Sequence, residues 1–199
     1  MLQRLLYTIF LLSGFVSNAQ LVINEVDADT PNSDLLEFVE LKSVSPNFPL
    51  DGYVLVFFNG GSSAPYANSV SYFAMDLDGY TTDINGIANF GTPTLSPSPA
   101  GTFPNSTIQN GPDVVALYQA NASDFPLNTF ATATNLIDAI AYSNSGTTQP
   151  SAMMSTLGII TCTNENATSS VTTHSIQRKN DGSYEVKTPT PGMPNDGSG

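Results

Sequence analysis

The run Tyr53-Val54-Leu55-Val56-Phe57-Phe58 is apolar at every position and ends at Asn59-Gly60-Gly61. A strand alternates its side chains between two faces, so this run predicts a central β-strand buried on both faces. Any fold for the chain must therefore supply two apolar layers around it. Other β-type runs stand between turn signals: Leu21–Val26, Leu36–Leu41, Val70–Ala74, Asp113–Tyr118, Leu136–Tyr142 and His174–Arg178. This makes about seven strands, with helical periodicity over 11 or more residues only at the N-terminus. Gly (15) and Pro (14) are abundant enough to punctuate many turns. Short strands joined by turn chemistry predict an all-β sandwich or barrel.

Residues 1–19 read as a secretory signal peptide. Arg4 is the positive n-region, Leu5–Val16 the apolar stretch, and Ser17-Asn18-Ala19 the small-residue cleavage site. The apolar stretch is too short to span a bilayer. Cleavage after Ala19 predicts a secreted or cell-surface protein. It removes one cation and no acid, so the net charge of −12 becomes −13. The remaining cations, Lys42, Arg178, Lys179 and Lys187, cannot form a basic footprint, which argues against nucleic acid as a partner. One Cys and one His leave no cysteine-based zinc site and no multi-histidine centre. Residues 20–195 read as one domain and 196–199 as the start of a linker, because the tail from Thr188 is dominated by Thr, Pro, Gly and Asn.

Several phrases occur in a telling order. Ile23-Asn24-Glu25-Val26-Asp27 is followed by Glu37-Phe38-Val39-Glu40-Leu41, then Leu50-Asp51-Gly52-Tyr53, then Asn110-Gly111-Pro112-Asp113-Val114-Val115. Ser175-Ile176-Gln177-Arg178 and Thr190-Pro191-Gly192-Met193-Pro194-Asn195 close the set. This ordered set resembles the lamin tail domain in its secreted bacterial, Bacteroidetes-like form. The resemblance implies an immunoglobulin-like β-sandwich with long loop inserts around residues 59–112, and no catalytic residues. It also implies a non-catalytic extracellular recognition or spacer module, binding protein or glycan through its loops. Related alternatives are a Ca²⁺-dependent adhesion or carbohydrate-binding module, or an accessory domain of a secreted hydrolase such as a nuclease or esterase. The chain is expected to be a monomer or part of a larger protein. The nuclear role of animal relatives conflicts with the export signal.

The acidic residues are the richest chemical resource. Glu25, Asp27 and Asp29 share one strand parity, and Asp34 and Glu37 follow them. Asp76-Leu77-Asp78-Gly79 and Asp83-Ile84-Asn85-Gly86 look like fragments of calcium loops, although the EF-hand spacing is absent. Asp27, Asp29, Asp76, Asp78 and Asp83 are thus the candidate Ca²⁺ ligands, set against the simpler reading of turn carboxylates. No cofactor is required; Ca²⁺ is the one candidate. Glu37 and Glu40, three apart on a strand, point to opposite faces and cannot flank one glycosidic bond. His174 has no Gly-x-Ser-x-Gly serine to serve, and Cys162 reads as a small buried hydrophobe. Tyr66, Tyr80 and Phe90 fall on the long inserts, where aromatic side chains suit a sugar or protein partner. The sequons at Asn105, Asn121 and Asn166 matter only in a eukaryotic host.

Overall fold

The structure, a computed structural model, describes residues 20–61 and 69–196. Residues 1–19, read above as a signal peptide, and Tyr66 lie outside the described residues. Among the described residues, eleven strands form two sheets. The first sheet contains β1 (Leu21–Asp27), β2 (Phe38–Ser43), β5 (Ile87–Gly91), β6 (Gly101–Thr102), β10 (Ser175–Arg178) and β11 (Tyr184–Lys187), in the order β11-β10-β1-β2-β5-β6. The second contains β3 (Val54–Asn59), β4 (Val70–Asp76), β7 (Asp113–Tyr118), β8 (Leu136–Ser143) and β9 (Cys162–Asn164), in the order β4-β3-β7-β8-β9. Neighbours are antiparallel except β5–β6 and β8–β9. The chain is an all-β sandwich.

β3 occupies the position its composition demands. It pairs with β4 on one side and β7 on the other, and all its residues are buried. Leu55 and Phe57 enter the core between the sheets, with Leu41, Phe90, Leu117, Ile140 and Ile176. Phe57 stacks on Phe73 at 5.1 Å between ring centres and meets Phe103 edge-on at 5.8 Å. Val54, Val56 and Phe58 face the other way, into a second core with Tyr118, Phe125, Met153, Met154 and Leu157. The second sheet is therefore covered on both faces.

The cover on its outer face includes a helix, α2 (Ser151–Leu157), which follows the single turn α1 (Pro31–Asp34) in chain order. Sequence reading found no helix here because seven residues are too few to show a period. Met153, Met154 and Leu157 bury its inner side. Gly158 ends it in the left-handed region at φ 71°, where glycine meets no steric penalty. The strands β5, β6, β9 and β11 also exceed the sequence expectation. They are short or weakly patterned, and long-range pairing sets them rather than local propensity.

The inserts are organised by turns that brace one another. Asp78 Oδ1 accepts the Gly52 amide at 2.6 Å, and Asp51 Oδ1 accepts the Gly79 amide at 2.8 Å. Asp83 Oδ1 accepts the amides of Asn85 (2.7 Å) and Ile87 (2.8 Å), closing the turn into β5. Gly86 in that turn has φ 77°, and a Cβ there would stand 2.5 Å from the Ser43 carbonyl. Among the described residues, no helix is long and apolar enough to cross a membrane.

Candidate functional site

β1 and β2 carry three buried acids, Glu25, Asp27 and Glu40. A bulge between Ile23 and Glu25 breaks the β1–β2 register, so Asn24 projects its amide to Glu40 Oε1 at 2.7 Å. Glu25 is completely buried. Its Oε1 accepts Ser175 Oγ (2.5 Å), Gln177 Nε2 (3.2 Å) and the Thr190 amide (2.9 Å), while Oε2 accepts the Thr190 hydroxyl (2.7 Å). Glu40 Oε2 accepts the Gly192 amide at 2.7 Å. Asn195 Nδ2 donates to the carbonyls of Asn24 (2.9 Å) and Arg178 (3.0 Å). The closing phrase of the sequence is thus latched onto the opening ones. The tail segment from Thr190 to Asn195 is therefore hydrogen-bonded into the fold.

A second set of acids gathers near the end of β1. Asp27, Glu37 and Glu165 are all buried. Glu165 Oε1 accepts the Ala28 amide (2.8 Å), and Glu37 Oε2 accepts the Thr107 amide (2.8 Å). The remaining oxygens are Glu165 Oε2, Glu37 Oε1 and Asp27 Oδ1, which are enclosed and have no hydrogen-bond partner among the described residues. Burial pushes the Glu37 and Glu165 carboxyls up to about 8. Burial raises Asp27 well above the carboxylate range, and the charges of Glu165, Glu25, Asp29 and Glu37 raise it further.

Asp27 also lines a surface hollow of about 370 Å³. Pro31, Leu36, Phe38, Leu95, Pro189 and Pro191 form its apolar walls. Thr30, Ser96, Thr172 and Thr173 also line it. These residues come from separate segments that the sandwich brings to one end. The size and lining suit a ligand site: mostly apolar, with a few polar groups that fix orientation. A larger hollow of about 530 Å³ lies between β8, the α2–β9 connection and the β10–β11 hairpin. Its carboxylate, Asp138, is already held by Arg178 Nη1 (3.0 Å) and the Ile23 amide (2.9 Å).

The five candidate Ca²⁺ ligands are not brought together. Asp78 and Asp83 are occupied by the turn amides described above, and Asp76 Oδ1 accepts the Ala122 amide at 2.7 Å. Asp27 and Asp29 stand at the β1 end, with Asp29 interacting with Asn144. Among the described residues, no group of three or more His, Cys, Asp or Glu is placed to hold a metal ion. Phe90 is a correction. It lies on β5, completely buried in the inter-sheet core, so it cannot meet a ligand on a loop. Tyr80 packs edge-on against it at 5.3 Å and is half-buried. Cys162 is half-buried on β9, and His174 Nδ1 contacts the Thr168 hydroxyl at 2.7 Å.

Sequence reasoning missed Glu165. It stands alone between two asparagines, and only the fold carries it to Asp27. The sequence placed Glu37 beside the acids of β1, but nothing local marks it as buried. No family model matches the chain, and neither does any curated protein or solved structure.

Proposed function

We propose that the chain is a non-catalytic recognition module of an exported bacterial protein, an immunoglobulin-like sandwich of the lamin tail type. It works outside the cell or on its surface and binds a protein or glycan partner. The observation that carries this reading is the hollow at Asp27: an apolar recess with threonine and serine on its walls and a partnerless buried carboxyl. Only Leu95 and Ser96 of its lining come from the 59–112 inserts, so the binding surface is shared with the β1–β2 connection and the tail. The arrangement of the other acids supports a binding role. Glu25 and Glu40 are engaged in holding the chain's ends together, and Asp78 and Asp83 in bracing turns.

Two assays on the mature protein test this. Peptide and glycan arrays should show saturable binding, and Thr172→Arg, at an exposed wall of the hollow, should remove it. Phosphodiester, ester and glycoside substrates should stay intact. Turnover that disappears on substituting a single buried acid would overturn the non-catalytic reading.

A further inference from the structure

We propose that the hollow between Lys42 and Lys179 binds a carboxylate, the side chain of an aspartate or glutamate on a protein partner. It rests on the recognition reading above for the source of that carboxylate, and it shares no residue with the hollow at Asp27. Removal of residues 1–19 leaves four cations in a chain with 17 acids. Lys42, Arg178 and Lys179 all line one surface hollow of about 220 Å³, and among the described residues no acid lines it. A positive recess on an otherwise acidic molecule draws an anion to itself. The fold builds this recess from distant segments. Lys42 stands opposite Val22 in the β1–β2 ladder. Arg178 ends β10, and the Lys179 amide donates to the Ser183 carbonyl at 2.7 Å, closing the hairpin to β11. Asn195 Nδ2 ties the tail to both through the Asn24 and Arg178 carbonyls.

The contacts of each group leave two ammoniums for a ligand. Arg178 Nη1 donates to Asp138 Oδ2 (3.0 Å) and to the Tyr184 hydroxyl (2.8 Å), so its charge is spent inside the fold. Lys42 makes no ion pair among the described residues. Lys179 Nζ stands 3.8 Å from Asp181 Oδ2, beyond hydrogen-bond length, while Asp181 Oδ1 accepts the Ser183 amide (2.9 Å) and hydroxyl (2.6 Å). Glu40, which accepts from Asn24, is buried and pushed up to about 8, so it adds little charge at neutral pH. The donors then decide which anion. Asn24 Nδ2 donates to Glu40 and Asn195, and Asn195 Nδ2 to two carbonyls, so neither amide has a hydrogen left. Phosphate and sulfate are best met by a guanidinium fork or a row of backbone amides, and the one guanidinium at the hollow is taken. A carboxylate has two oxygens, one for each ammonium, and lysine's flexible stem lets each head adjust to it. Val22 and the 75% exposed Val44 line the hollow beside Lys42 and suit the methylenes of an acidic side chain. Among the described residues no aromatic ring lines the hollow to stack on a sugar, which favours a protein-borne carboxylate over a uronic acid.

The test is an NMR titration of the ¹⁵N-labelled mature protein with Nα-acetyl-glutamate methylamide, its neutral glutamine counterpart, methyl glucuronide and sodium sulfate. The glutamate probe should shift the backbone amides of residues 42–44 and 178–180 saturably, and the glutamine probe should not. Lys42→Met and Lys179→Met keep the aliphatic stems and should each weaken binding about threefold or more. Should Lys42→Met fail to fold, Lys179→Met decides, because Lys179 lies beyond the end of β10. Absence of these shifts, equal shifts from the glutamine probe, or unchanged binding by the lysine variants overturns the proposal. Binding indifferent to about 0.5 M NaCl overturns it too, since half-exposed charges are screened by salt. Tighter binding of the glucuronide overturns the protein source, and tighter binding of sulfate overturns the carboxylate. Failure here is distinct from failure of the recognition reading: array binding without shifts from the glutamate probe keeps that reading and overturns this site.

Discussion

The residue that best shows how the fold changes chemistry is Glu165. In sequence it is a carboxylate between two asparagines; in the structure it is completely buried beside Asp27. Its folded value of about 8 lies above the ordinary 4.5, so the folded state holds a proton that the unfolded chain releases. Glu37 and Glu40, also at about 8, and Asp113, at about 7, act in the same direction. The stability these protonated groups allow is fully present below their unfolded values and is lost as pH rises through the folded ones. Urea unfolding should therefore show a midpoint that falls between pH 5 and pH 9. Glu165→Gln keeps an acceptor for the Ala28 amide and removes the ionisation. It should stabilise the protein by about 2 kcal/mol at pH 9 and by much less at pH 5. A pH-independent difference would show that these carboxyls are already ionised without cost. None of this was legible from the sequence, because burial depends on what other segments cover.

At the scale of elements, sequence reading succeeded where the pattern was strong and local. β3 declares itself by being apolar on both parities, and the structure covers both of its faces. The runs that match β1, β2, β4, β7, β8 and β10 were also visible. α2 was not, although Met153 and Leu157 complete the outer core. Met153→Ala should cost about 3 kcal/mol in urea unfolding, the usual penalty for emptying a packed site. Ile160, just beyond the helix and 96% exposed, should change stability by less than about 0.5 kcal/mol when replaced by Ala. Equal effects would mean that α2 does not seal the sheet. Phe90 shows the opposite failure. Its surroundings read as an insert because Gly and Pro are frequent there, yet β5 pairs with β2 and draws the ring into the core.

At the scale of the whole molecule, the two ends of the described chain hold each other. Glu25 and Glu40 accept from Thr190 and Gly192, and Asn195 reaches Asn24. Ending the chain after Lys187 leaves both carboxyls short of partners, at about 1–3 kcal/mol for each unsatisfied group. The melting temperature should fall by on the order of 10 °C, since each kcal/mol shifts a domain of this size by about 2–4 °C. An unchanged melting temperature would show the latch to be decorative. The sequence by itself determined the all-β class, the central strand and the turn-rich inserts. Alternation and turn chemistry are local properties, written in neighbouring residues. The tertiary structure alone decided which acids are buried, which tail residues are structural and where a hollow opens. Glu25 meets Thr190 across 165 positions, and Asp27 and Pro189 line one hollow from a comparable separation. Such encounters depend on sheet pairing, and no local pattern encodes them.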